Sequence, residues 1–254
     1  MKQVDAEAIL LAHDNPSFLM YVGMLAKRLG YKVYLALEGT EALRVARERK
    51  PTIIVLDSAL AGIDGLSCLA MIRNDAILHH IPIIMLGSGE NDLSDKEIQE
   101  MNVQGYLRKP LNVTDFYLAI QQGLHHAIKR RHVRVPIGIT AIAAFGGQTR
   151  KLMALNLSAE GIFLKADDPS PIGTEMDIVL TIDDGEPVEL KGIVVSSVRI
   201  SENIEPGSGM GIKFVDIPED VRYRLLYVIM KELTRDISVS DTGETWIDDS
   251  VDAD

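Results

Sequence analysis

Near residue 130 the spacing of apolar side chains switches from one rule to another, and no single layer of secondary structure satisfies both. Upstream, short continuous apolar runs alternate with helical stripes: AILLA at 8–12, a stripe through Leu19, Val22, Leu25 and Leu29, then TIIVL at 52–56 and PIIML at 82–86. A continuous run is a strand buried on both faces, and its alternation with helices predicts a parallel, doubly wound sheet. From Val135 the period is two, through Ile137, Ile139 and Ala141 and again through Met153, Leu155 and Leu157. That pattern predicts antiparallel sheet with one wet face. The segment VLTIDDGEPVELKGIVVSSV reads as a hairpin turning at Asp184-Gly185, where positive φ angles are needed. A helix starting at Pro218 and striped by Val221, Leu225, Val228 and Ile229 closes this half as a barrel or sandwich.

A length of 254 residues suits two such units better than one core. We place them at 5–128 and 129–235, joined without a Gly/Ser or Pro-rich linker because the helical stripe Phe116, Ile120, Leu124, Ile128 runs straight into the second unit. Residues 236–254 are acidic, lack Lys and Arg, and predict a disordered tail. No apolar run reaches the length of a membrane span, and the N-terminus carries acids where an export signal needs cations, so a cytoplasmic setting is expected. The single Cys68, within LSCLAMI, excludes an intramolecular disulfide and reads as packing. No Walker loop, G-x-S-x-G elbow or H-E-x-x-H is present, which argues against an enzyme and leaves no catalytic residue to name. The pairs His79-His80 and His125-His126 read as solvated surface, since adjacent side chains on one element diverge.

In an open parallel sheet, ligands gather at the carboxyl ends of the strands. The residues there are His13-Asp14, Asp57, Gly87-Ser88 and Lys109-Pro110. Asp14 and Asp57 at adjacent strand ends are candidate ligands for Mg²⁺, with Lys109 able to neutralise a bound phosphoryl group. Asp57 followed by GIDG, Lys109-Pro110 after GYLR, Tyr106 and EGTEAL at 38–43 resemble the CheY-like response-regulator receiver domain. The resemblance implies a five-stranded (βα)5 fold, a phosphoacceptor at Asp57, a pocket of His13, Asp14, Ser88 and Lys109, and a histidine kinase as partner. Two positions depart from the family: His13 stands where a second acid is usual, and Gly87 where Thr or Ser is usual. Imidazole is a weaker ligand than carboxylate for a hard cation, so Mg²⁺ affinity should fall. Two readings stay open: phosphotransfer to Asp57, or a degenerate receiver kept as a docking or dimerisation surface with His13 paired to Asp57 in place of a metal.

The other cluster is KRRHVR at 129–134, strongly cationic in a chain of net charge −11. That acidity, with no interleaved aromatics, argues against DNA or RNA as its partner. Helix-dipole complementation would suffice for the cluster alone, but Asn156-x-Ser158-x-x-Gly161 follows where one alternating strand gives way to the next, offering an amide, a hydroxyl and a glycine. Arg130-x-x-x-Arg134 followed by that loop resembles the PilZ domain, an antiparallel β-barrel with a C-terminal helix. The resemblance implies a bacterial receptor for cyclic di-GMP, gripped by Arg130 and Arg134 with Arg131 as an auxiliary phosphate contact, and lined by Asn156, Ser158 and Gly161. Guanidinium can donate paired bonds to guanine O6 and N7 or to phosphate, which suits this ligand. The expectation is a second-messenger receptor that reorients its domains and signals to a protein partner, in motility or biofilm control. The alternative is a phosphorylation-gated regulator or scaffold whose barrel binds no nucleotide.

Overall fold

The computed structural model describes residues 7–88, 95–124, 133–182, 186–199, 208–239 and 245–247. Arg130, Arg131, the pair His125-His126 and the turn Asp184-Gly185 lie outside them. The chain divides into two compact units, residues 1–130 with 234–254, and residues 131–233.

In the first unit five parallel strands, β1 (Ala8–Ala12), β2 (Lys32–Ala36), β3 (Ile53–Asp57), β4 (Ile83–Ser88) and β5 (Gly105–Lys109), are arranged in the order 2-1-3-4-5. Helices α1 (Pro16–Arg28), α2 (Gly39–Arg49), α3 (Gly65–Arg73), α4 (Asp95–Glu100) and α5 (Val113–Gly123) connect and follow them. The central strands are the continuous apolar runs: every residue of β3 is buried. Edge strands β2 and β5 are half exposed, and so carry no such run. Three site-bearing loops end in side-chain caps. Asn15 accepts the Phe18 N–H ahead of Pro16, Asp64 accepts that of Ser67, and Asn112 those of Thr114 and Asp115. Because β1 lies between β2 and β3, the chain leaves it in both directions at its carboxyl end, opening a crevice there.

The tail differs from the expectation of disorder. Two short strands, β12 (Ile237–Val239) and β13 (Thr245–Ile247), pair antiparallel and lie against α1. Their anchor is a fork in which Arg28 donates from both terminal nitrogens to the Asp236 carboxylate, at 2.5 and 2.6 Å. Tail acidity keeps a chain solvated only while it lacks a cation to meet, and Arg28 supplies one in the last turn of α1.

The second unit is a closed antiparallel barrel of β6 (Arg134–Phe145), β7 (Gln148–Ser158), β8 (Gly161–Lys165), β9 (Glu175–Leu180), β10 (Val188–Val198) and β11 (Gly209–Val215). The neighbours run 10-11-8-7-6-9, and β9 pairs with β10 to close it. Closure removes every sheet edge. Helix α6 (Glu219–Leu233) packs on β6 and β7 through Leu225, Leu226, Ile229 and Met230. Register breaks interrupt the period of two in β6, β7 and β10. In β7 the break at Leu155 puts Ala154 and Leu157 inside and turns Met153 out to 54% exposure, so the run Met153, Leu155, Leu157 does not line one face. Among the described residues no helix is long and apolar enough to cross a membrane.

The Arg28 fork is partly buried, so Arg28→Ala should cost on the order of 1 kcal/mol in thermal or urea unfolding. It should also raise amide exchange at residues 236–239; unchanged exchange would show that the fork does not hold the segment.

Candidate functional site

Two groups of side chains have the chemistry of a site, one in each unit. In the first, β3 delivers Asp57 to the sheet rim with 0% of the residue exposed. Its Oδ2 accepts from Lys109 Nζ at 2.6 Å, faces His13 Nε2 at 2.9 Å, and its Oδ1 accepts the Ala59 N–H at 3.2 Å. His13 is buried too, its ring stacked on Phe18 at 4.1 Å. The Asn15 N–H donates to His13 Nδ1, which leaves the ring proton on Nε2, aimed at Asp57. Burial pushes the Asp57 carboxyl up, but the bonds from His13, Lys109 and Ala59 outweigh it and hold the pKa at about 2. Asp14 is half exposed, 3.1 Å from His13 Nδ1.

Gly87 has a structural cause. A Cβ there would lie 1.8 Å from Tyr106 Oη and 2.3 Å from its Cζ, so the tyrosine occupies the space in which a Thr or Ser side chain would stand. Ser88 is opposite Lys109 in the β4–β5 register.

Ligand atoms of His13, Asp14 and Asp57 lie within 4.8 Å of one another, close enough to share a divalent ion. The donor set fits Mg²⁺ poorly. One Asp57 oxygen already takes Lys109 and His13, the other a backbone N–H, and the protonated face of an imidazole stands where a hard cation wants an oxygen.

The barrel site follows from strand register. Arg134 pairs with Ser158, Ser158 with Gly161, and Gly161 with Lys213, one row across β6, β7, β8 and β11. The next row, Val135, Leu157, Ile162, Ile212 and Val194, is buried in the core. The third is Pro136, Asn156, Phe163, Gly211 and Ser196. Since successive side chains alternate across a sheet, the first and third rows share the outer face. The spacing Asn156-x-Ser158 thus puts amide and hydroxyl side by side on that face. Arg134, Asn156, Ser158 and Gly161 line one cavity of about 420 Å³, with Phe163, Val195, Ser196 and Lys213 also in its wall. The last four were missed from sequence because register, invisible in one strand, brings them there.

Gly161 serves the fold as well as any ligand: a Cβ would meet the Ile212 carbonyl oxygen at 2.4 Å. Ser158 Oγ donates to the Gly161 carbonyl at 3.1 Å, tying the turn shut. Arg134 and Lys213 end the first row, roughly 14 Å apart by strand spacing, with the hydroxyl between. Glu160 also stands in the wall, and against that one carboxylate the two cations leave a surface that favours an extended anion. A wider cavity of about 770 Å³ lies around the opposite turn, Gly146-Gly147, but Glu175, Asp177 and Asp216 in its wall face only Lys191 as a cation. That wall repels phosphate.

Comparison with known proteins matches residues 9–121 to the response regulator receiver domain and residues 128–231 to the PilZ domain. The polar-differentiation response regulator DivK of Brucella anthropi is 27% identical over 121 residues, covering 48% of this chain and 98% of that protein. Its namesake in Brucella ovis gives the same identity and coverage. Among solved structures, the receiver domain of a Pseudomonas aeruginosa sensor histidine kinase, with magnesium in its active-site cleft, is 28% identical with a TM-score of 0.43, covering 47% of this chain and 98% of that one. Chemotaxis protein CheY4 of Vibrio cholerae is 25% identical with a TM-score of 0.43, covering 47% and 99%.

The Asp57 pKa is depressed, so its ionised form contributes stability that is complete above the ordinary value of 3.8 and is lost as pH falls towards about 2. Asp57→Asn should therefore be less stable than wild type at neutral pH, with the gap in unfolding free energy closing between pH 4 and pH 2. A gap independent of pH would contradict the ion pairing.

Proposed function

We infer, for a chain that joins a response regulator receiver domain to a PilZ domain, that its barrel receives cyclic di-GMP and that the bound form signals to a protein partner. Both domains are of regulatory kinds, and the chain is a signalling protein of the two-component and cyclic di-GMP type. One observation carries the finer reading: the outer-face cavity that gathers Arg134, Asn156, Ser158 and Gly161, with Lys213 at the far end of its polar row.

The chemistry suits a dianionic dinucleotide. Arg134 can fork onto a phosphate or onto guanine O6 and N7, Asn156 can pair with a base edge, and Lys213 can meet phosphate oxygens. Arg130 and Arg131 precede Arg134 by four and three residues and would add their guanidinium groups to its contacts with the ligand. We expect the message to leave the barrel as a shift in the arrangement of the two domains.

The receiver, on this reading, is a docking module that works without phosphorylation. What favours it is His13, whose Nε2 stands 2.9 Å from Asp57 Oδ2 and shares that oxygen with Lys109. Tyr106 in the space beside Gly87 points the same way, since the tyrosine would have to move before a side-chain hydroxyl at position 87 could sit there.

Arg134→Ala should weaken cyclic di-GMP binding by tenfold or more in isothermal titration, in line with about 1–3 kcal/mol for a bidentate contact, and Arg134→Lys should not restore it. Equal affinities would remove the arginine from the site. Acetyl phosphate with Mg²⁺ should leave the intact mass unchanged, and an acid-labile gain lost in Asp57→Asn would return the receiver to phosphotransfer. Small-angle scattering should differ with and without ligand; superimposable curves would refute reorientation.

A further inference from the structure

We propose that Phe163, seated on the glycines of β11, is the platform on which a base of the bound nucleotide stacks; this rests on the barrel being a cyclic di-GMP receptor. Its neighbours Ile162 and Leu164 are buried in the core, so Phe163 points to the outer face. A large aromatic there would ordinarily be covered by another element or stand in solvent. Phe163 is instead half buried by its own sheet.

The seat is built from missing side chains. A Cβ at Gly209 would lie 2.7 Å from Phe163 Cε1 and 2.8 Å from its Cζ, and one at Gly211 would lie 2.4 Å from Ser196 Oγ and 3.9 Å from Phe163 Cδ2. The ring thus lies across β11, and Gly209 leaves it room. Gly209 and Gly211 stand within strand β11, which runs straight through them. Ser196 is held in turn by the Gly211 N–H, which donates to its Oγ at 3.2 Å.

With one side on backbone, the ring offers its remaining surface to the cavity it lines. Asn156 sits beside it in the β7–β8 register. The register break in β10 lifts Val195 to 53% exposure at the same cavity, adding an apolar rim. A flat apolar surface flanked by an amide and a hydroxyl matches a purine, whose face is apolar and whose edge carries donors and acceptors. Arginine and lysine at the ends of the neighbouring row can hold phosphate alone; Phe163 is what would make an aromatic base part of the requirement.

The test is titration of cyclic di-GMP into full-length wild type, Phe163→Leu and Phe163→Trp, the last also in a Trp246→Phe background where position 163 holds the only tryptophan. Phe163→Leu keeps apolar packing and should bind roughly tenfold more weakly, the worth of a typical aromatic–base stack. Phe163→Trp should bind at least as well as wild type, with its fluorescence quenched at saturation. Wild-type affinity in Phe163→Leu, or unaltered fluorescence of a saturated Phe163→Trp protein, would overturn the platform and leave the receptor reading standing. Absence of binding by wild type itself would overturn both.

Discussion

The pairing of Ser158 with Arg134 on one side and Gly161 on the other is the constraint on which the barrel site depends. A slip of one residue in either ladder would send the hydroxyl into the core and Leu157 to the surface. The register is secured from both faces. Inside, Val135, Leu157, Ile162, Ile212 and Val194 form a continuous buried row. Outside, the Ser158 to Gly161 bond and the close approach of Gly161 to Ile212 admit no other alignment of the β7–β8 turn against β11. On the proposed reading, affinity for a nucleotide and stability of the barrel would draw on the same residues, as expected when a site is placed on strands rather than loops.

The first unit solves the opposite electrostatic problem. A buried carboxylate at the end of β3 is costly unless paired, and here the pairing is internal: Lys109, His13 and a backbone N–H engage both oxygens. With its pKa held at about 2, Asp57 is a carboxylate throughout the neutral range. The aromatic at 106 and the glycine at 87 are likewise matched to each other, sealing the neighbouring strand end.

Much of this was legible in the sequence, for physical reasons. Strands β1, β3 and β4 announced themselves because they are buried on both faces, whereas β2 and β5, half exposed at the edges, became visible only through resemblance. The barrel was readable as period-two sheet, but not which residues face inward, because the breaks at Leu155 and Val195 reset the phase. Arg134, Asn156, Ser158 and Gly161, which line one cavity, were singled out in the sequence by the resemblance that their spacing carries. Phe163, Ser196 and Lys213 were not, since what unites them is hydrogen bonding between strands distant in sequence. The fork between Arg28 and Asp236 escaped for the same reason, and composition alone made the tail look structureless.

The central claim is that the outer face of β6, β7, β8 and β11 holds the messenger. Backbone amide shifts of the isotope-labelled full chain, followed as cyclic di-GMP is added, test it most directly. The account predicts saturable shifts concentrated at Ser158, Gly161, Phe163, Gly211 and Lys213, with the turn at Gly146-Gly147 unaffected. No saturable shifts, or shifts centred on that opposite turn, would contradict it.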